Sequence, residues 1–286
     1  MRINEGIKSG DCKPKRRVLY SIYKGLILNE TTNKDLFSSP IRLAEYEYQL
    51  AQEFILPLFL KWGIDLENKL VLDVGCGSGG TSIAIAERGA ICLGIDHNAD
   101  RISTAIEFAQ RRSVQVKFLK TNVLALDRQD WKYNLIIMSE ILEHLVSLEN
   151  VEHLLVWCKD HLDWHGNIYI SFPPWFNPFA GHQAGWPKIR YIPWYHLFPD
   201  NIKRRLVPDY GDKYIKYSQE LNRLTIGVFE EITKRVGLSI RKRELFHIRP
   251  EYYWRYHVPT IRSCEIVSKS KTLRELSTTG AYYLIG

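Results

Sequence analysis

Glu140, Glu143 and His144, in the stretch Ser139-Glu140-Ile141-Leu142-Glu143-His144-Leu145, stand at spacings of three and four residues. On a helical turn those spacings put side chains on one side. Two carboxylates and an imidazole meeting there have the donor types that hold a divalent cation. Without a cation, the same residues read as the polar start of a helix. Further along, His182 in Phe179-Ala180-Gly181-His182-Gln183 supplies a second imidazole. Glu140, Glu143, His144 and His182 together make a four-ligand set for Mg²⁺, Mn²⁺ or Fe²⁺, with coordination positions left for substrate oxygens. A cation there would lower the pKa of a bound hydroxyl; His144, His182 and Glu140 are also the candidate catalytic residues, with a metal-free catalytic role for His144 or His182 as the alternative.

A second constellation is Val71-Leu72-Asp73-Val74-Gly75-Cys76-Gly77-Ser78-Gly79-Gly80. It places glycines between an apolar strand and a helix, where backbone amides approach a ligand closely and the helix dipole adds positive potential. Asp96 follows about twenty residues later, the distance at which an acid meets ribose hydroxyls in dinucleotide enzymes. Asp73 distinguishes the cases. An acid two residues before the first glycine suits a ligand bearing an ammonium group and sits badly beside a pyrophosphate, which disfavours an NAD-dependent dehydrogenase.

The elements that must hold these residues alternate. A helix is expected from Ser39-Pro40 to about Trp62, kinked at Pro57 and ended by Gly63. Strands follow at 69–74, 90–95, 116–119, 135–138 and 167–172, with helices at 80–88, 99–112 and 148–162. Continuous apolar strands between helices indicate a parallel sheet covered on both faces. After Phe172 about 50 residues rich in proline and aromatics (173–222) precede the helix expected at 224–236, and the strands expected at 238–248 and 280–285 close the chain. So long a connection reads as a lid or substrate-binding insertion.

The chain has 286 residues, 45% hydrophobic and 25% charged, enough for one large domain with a full core. No apolar run reaches the roughly 18 residues of a membrane span. The start MRINEGIKSGDCKPKRR lacks a secretory apolar stretch, so a cytoplasmic location is expected. Five scattered cysteines without a CxxC pair argue against a zinc finger or a disulfide framework. The net charge of +7 resides in residues 172–286, with 19 Lys and Arg against 10 Asp and Glu, and in a basic arm within residues 1–38. Nucleic acid, an anionic membrane surface or a phosphorylated substrate would meet such a surface favourably.

VLDVGCGSGG, GIDHN (94–98), YNLIIMSEILEHL (133–145) and the terminal GAYYLIG resemble class I S-adenosylmethionine (SAM)-dependent methyltransferases. The resemblance covers 65–172 well and 223–286 loosely. It implies an α/β, Rossmann-like fold: a seven-stranded, mostly parallel sheet with an antiparallel last strand, helices on both faces and an insertion after strand 5. It also implies that Gly75 and Gly77 border the aminoacyl part of SAM, that Asp73 faces its amino group, and that Asp96 binds the ribose. His97 would lie beside the adenine and Asn122 at its edge, with Cys76, Gly79, Val123 and Ser139 completing the expected cofactor set. Many relatives have Asp at the position of Asn122. Ubiquinone-pathway O-methyltransferases and small-RNA 2′-O-methyltransferases share the E-x-x-E-H and later histidine that hold a metal, matching Glu140, Glu143, His144 and His182. An L-E-H-L sequence here also occurs in members without a metal, where it braces the helix.

The expected activity is O-methylation of a small or lipid-like metabolite, assisted by a divalent metal. RNA 2′-O-methylation is the alternative, and a cofactor-binding module without catalysis a third. Trp175, Phe176, Phe179, Trp186, Trp194 and Tyr195 are candidate walls of an apolar pocket. Lys203-Arg204-Arg205 and Arg241-Lys242-Arg243 are candidate anion contacts, and His196 reads as structural.

Overall fold

The structure, a computed structural model, describes residues 39–123, 131–186 and 188–286. The basic arm expected in residues 1–38 lies outside the described residues. Five strands form the parallel part of the sheet: β1 (Leu70–Val74), β2 (Ile91–Asp96), β3 (Lys117–Lys120), β4 (Tyr133–Ser139) and β5 (Leu162–Phe172). Three more follow: β6 (Ile240–Ile248), β7 (Ile261–Arg262) and β8 (Gly280–Ile285). The order is β3-β2-β1-β4-β5-β8-β6-β7. β8 runs antiparallel to both neighbours, as expected. The expected seven strands become eight among the described residues, because the two-residue β7 pairs with the outer edge of β6.

Helices cover both faces because the strands are apolar on both. Leu72, Ile136, Met138, Ile168 and Ile170 pack on one side with Val151, Leu154, Phe229 and Ile232 from α5 (Leu148–Asp160) and α8 (Ile226–Val236). Val71, Leu135, Ile137 and Tyr169 pack on the other. Their partners Phe59, Trp62 and Ile85 come from α2 (Leu56–Trp62) and α3 (Gly80–Ala86). Between β2 and β3, α4 (Ala99–Arg112) buries Ile102, Ala105 and Phe108. The alternation within each strand follows from the two-residue period of the pleat.

Ser39 caps α1 (Pro40–Leu50), its Oγ accepting from the Arg42 N–H at 3.3 Å. α1 continues through a π-turn, Ala51–Ile55, into α2. The kink expected at Pro57 takes this form: Pro57 has no N–H to donate, and the Leu56 N–H reaches back to the Ala51 carbonyl. Gly63 ends α2 in the left-handed conformation, φ +76°.

The described residues of 173–222 form three short 3-10 turns, α6 (Asp200–Leu206) and α7 (Gly211–Gln219), with a small core of Ile189, Tyr195, Val207 and Tyr214. α9 (Glu251–Tyr256), α10 (Glu265–Lys269) and α11 (Lys271–Ser277) between β6 and β8 have no counterpart in the sequence reading. Each is seven residues or shorter, too brief to show a helical period.

α1 lies directly on the start of α3. A Cβ on Gly80 would fall 2.3 Å from the Ala44 carbonyl oxygen and 2.4 Å from the Tyr48 nitrogen. Both are backbone atoms and cannot rotate away. Gly80→Ala is therefore expected to push α1 off the sheet and to destabilise the fold by about 1–3 kcal/mol, read as a lower urea midpoint. An unchanged midpoint would refute this close approach.

Candidate active site

A cavity of about 1350 Å³ opens along the carboxyl edge of β1, β2 and β4. Nine of the expected cofactor residues line it: Asp73, Gly75, Cys76, Gly77, Asp96, His97, Asn122, Val123 and Ser139. Gly79 does not. Its absent side chain makes room for Ala105 and Phe118, which a Cβ would approach to 2.7 and 2.8 Å, so its role is packing of α4 and β3. Gly75 and Gly77 have φ of +67° and +57°, the region glycine enters without steric cost.

The acids of this end are well placed. Asp96 Oδ2 accepts from the Gly77 N–H at 3.1 Å and Oδ1 from the Asn98 N–H at 2.8 Å, while His97 stands exposed beside it. Asp73 is 2% exposed, and Ser82 Oγ donates to its Oδ2 at 2.5 Å. Burial pushes the Asp73 carboxyl up to about 7, the Ser82 bond opposing and Asp96 adding to the shift. Ser139 Oγ is buried and meets no partner.

The stretch that follows β4 is not the helical turn expected. Glu140 has φ +57° and precedes a single 3-10 turn, Leu142–His144. That left-handed residue sends its carboxylate to Arg249, Oε2 to Nη2 2.5 Å. The four-ligand set is thereby corrected to three. Glu143, His144 and His182 bring ligand atoms within 4.8 Å of one another, and Glu140 is held apart by its ion pair.

Within the cluster the His144 and His182 rings stack at 4.7 Å, and His182 Nε2 lies 3.9 Å from Glu143 Oε1. Both Glu143 oxygens and His182 Nε2 are buried without a hydrogen-bond partner. Such atoms are costly unless something else satisfies them. Burial, then the Glu140 charge, raises the Glu143 carboxyl well above the ordinary range. Burial, then the His144 imidazole, pushes His182 down to about 3. His182 itself is left-handed at φ +51°, after Gly181 at +64°. Strain of this kind persists where the surroundings impose it, often at sites.

Two braces escaped the sequence reading. Asn222 ties the insertion's end to the turn: its N–H donates to the Glu143 carbonyl at 3.1 Å and its Nδ2 to the carbonyls of Leu142 and Leu145 at 2.5 and 3.0 Å. Arg249 joins Glu140 to Glu251, whose carboxylate also accepts from the Tyr282 hydroxyl. Neither residue lies in a recognisable motif.

Of the expected aromatic walls, Phe179 and Trp186 line the cavity, together with Tyr217, Tyr252 and Tyr256. The others do not. Trp175 packs edge-on to His196, Trp194 Nε1 donates to the Phe176 carbonyl at 3.0 Å, and Tyr195 belongs to the insertion's own core. His196 is buried between Gln183 and the Trp175 carbonyl, consistent with a structural part. The basic triplets are largely engaged: Lys203 with Asp200, Arg204 with Asp212, Arg241 with Asn167 and Arg243 with Glu230.

Residues 71–166 match a family model described as a methyltransferase domain. Ubiquinone biosynthesis O-methyltransferase of Rickettsia conorii is 32% identical over 113 residues, 40% of this chain and 38% of that protein. Its namesake from Coxiella burnetii is 32% identical over 87 residues, 30% of this chain and 37% of that protein. The chain thus spans less than half the length of these curated relatives. Among solved structures, magnesium protoporphyrin IX methyltransferase from Synechocystis PCC 6803 with bound SAH is similar at TM-score 0.53 and 17% identity, covering 89% of this chain and 91% of that one. A protein from Pyrococcus horikoshii OT3 gives 0.56 at 16% identity, covering 89% and 97%. At these identities the likeness is one of fold.

Asp73 makes a testable contribution to stability. In the unfolded chain it ionises near pH 4, whereas the folded chain keeps the proton to about 7. The folded state therefore binds more protons in this window, and its stability falls as pH rises through it. Asp73→Asn is expected to gain stability relative to the unaltered chain between pH 5 and 7, by up to about 1.4 kcal/mol per pH unit. Urea titrations at both pH values read it, and an identical difference at each would contradict it.

Proposed function

We infer that the chain, by family and fold a class I SAM-dependent methyltransferase, methylates an oxygen of a small or lipid-like acceptor, with Glu143, His144 and His182 as ligands of a divalent metal. The observation that carries this reading is one cavity joining the glycine loop to His144 and His182, with Glu143 packed against them. The O-methyltransferase relatives point the same way.

The residues present fit both groups. Glycines with positive φ, the acids Asp73 and Asp96 and the unpartnered Ser139 hydroxyl suit the polar parts of SAM. SAM supplies an electrophilic methyl group on a sulfonium: the S–CH₃ bond breaks as the O–CH₃ bond forms, and the acceptor's proton leaves to solvent. For the metal, the fit lies in the unpartnered Glu143 oxygens and His182 nitrogen. Neutral imidazole and carboxylate are the ligand forms. Ligand atoms 4.8 Å apart or closer need little adjustment to share a centre at roughly 2.0–2.6 Å. A divalent cation, when bound, lowers the pKa of an acceptor hydroxyl.

The chain's own residues position the acceptor. Phe179, Trp186, Tyr217, Tyr252 and Tyr256 offer ring faces to a planar or apolar body, and the insertion of residues 173–222 acts as the wall that excludes water. Much of the catalysis in such a displacement comes from holding the nucleophile in line with the methyl group. The enclosed aromatic chamber favours a small acceptor over RNA, whose recognition needs an exposed basic track.

The test combines metal titration with turnover on a panel of catechols and phenols, monitored by mass spectrometry. His182→Ala and Glu143→Gln are expected to weaken Mn²⁺ binding at least tenfold while leaving SAM binding within about threefold. Turnover by the unaltered chain should fall on chelation and return with Mn²⁺. Methylation of single-stranded RNA with no activity on any small acceptor would replace this reading by the RNA one.

A further inference from the structure

Glu47 belongs to no motif. It stands on α1, more than twenty residues before the glycine loop, yet its carboxylate lines the cavity beside that loop. Its oxygens face the N–H groups of Ser78 at 3.4 Å and Gly80 at 3.3 Å, both at the long end of hydrogen bonding. A Cβ on Gly77 would come 2.7 Å from Glu47 Oε1, so the glycine lets the acid approach the loop closely as well as shaping the turn. Among the described residues no Lys, Arg or His pairs with Glu47 at ion-pair distance; Arg101 acts on it only from further away.

A half-buried carboxylate that has only two long backbone N–H contacts and no counter-ion at pairing distance has capacity left for a cationic group. Burial does push the Glu47 carboxyl up to about 7. Asp73, the motif's own acid, already accepts from Ser82. The glycine loop is thus flanked by two acids, one from the strand beneath it and one from the helix packed across it.

We propose that Glu47 is a cofactor-positioning residue whose carboxylate receives the α-ammonium group of SAM. α1 then fixes the aminoacyl end of the cofactor jointly with the glycine loop, and the tight Gly80 contact with Ala44 and Tyr48 sets its distance. This rests on the methyltransferase reading and adds to it a contact from outside the glycine-loop motif.

Calorimetry on the full chain separates the possibilities, using S-adenosylhomocysteine and 5′-methylthioadenosine, which lacks the aminoacyl group. Glu47→Gln is expected to raise the Kd for S-adenosylhomocysteine about 10- to 100-fold, as loss of a charge-assisted bond does. Binding of 5′-methylthioadenosine should stay within about twofold. Glu47→Asp, which keeps the charge but withdraws it, should give an intermediate loss and guards against misfolding of the first variant. Equal loss for both ligands would assign Glu47 to the fold, and unchanged or tighter S-adenosylhomocysteine would make it a competitor of the ligand; either result overturns the proposal alone. Failure of the unaltered chain to bind S-adenosylhomocysteine would instead remove the cofactor reading, and this proposal with it.

Discussion

Arg249 is the buried charge on which one end of the cavity is built. It follows β6, reaches Glu140 at 2.5 Å after β4, and reaches Glu251 at 3.0 Å at the start of α9. Glu251 is held in turn by the Tyr282 hydroxyl of β8. Three segments far apart in the chain, the turn after β4, residues 249–251 and β8, are thus linked through this guanidinium and the Glu251 carboxylate. Taking these charges out of water is expensive, and removing one member leaves the others uncompensated, typically at about 3–5 kcal/mol. Two consequences follow for the site. Glu140 is withdrawn from the imidazoles, and α9 is set so that Tyr252 and Tyr256 become cavity wall.

The cofactor end was legible because its determinants are local. A strand, four glycines and an acid lie within ten residues, and a helix such as 99–112 declares itself by its own period and by the capping Asn98. The other end was only partly legible. Glu140 was grouped with Glu143 and His144 on the assumption of helical geometry, whereas its φ of +57° breaks that register. The partner that imposes this lies 109 residues away. Glu47 and Asn222 were invisible for the same reason: each acts on backbone groups distant in sequence, and backbone groups leave no trace in residue type.

The insertion shows why aromatic content is a poor guide to a pocket. Tyr195 and Tyr214 fill an interior with Ile189 and Val207, because a segment this long needs a core of its own. Among the described residues of the insertion, the rings on its inner surface are Phe179, Trp186 and Tyr217. Composition announces the segment. It does not say which rings face inward, since that depends on how two short helices and three turns settle against Asn222 and the 3-10 turn.

The cavity also differs in charge along its length. Glu47, Asp73 and Asp96 gather around the glycine loop, with His97 beside Asp96, while at the far end Glu140 and Glu251 are ion-paired to Arg249 among imidazoles and rings. In the proposed reaction a sulfonium and an oxygen anion lose their charges together. A dry chamber favours such charge loss, and a carboxylate beside the sulfonium would oppose it by stabilising the reactant. In that reaction acids at the loop would act instead on groups whose charge is the same before and after transfer, so that their effect would be to bind and orient. Glu143 stands apart from this pattern: it does not line the cavity, its Oε1 lies 3.9 Å from His182 Nε2, and burial raises its carboxyl well above the ordinary range.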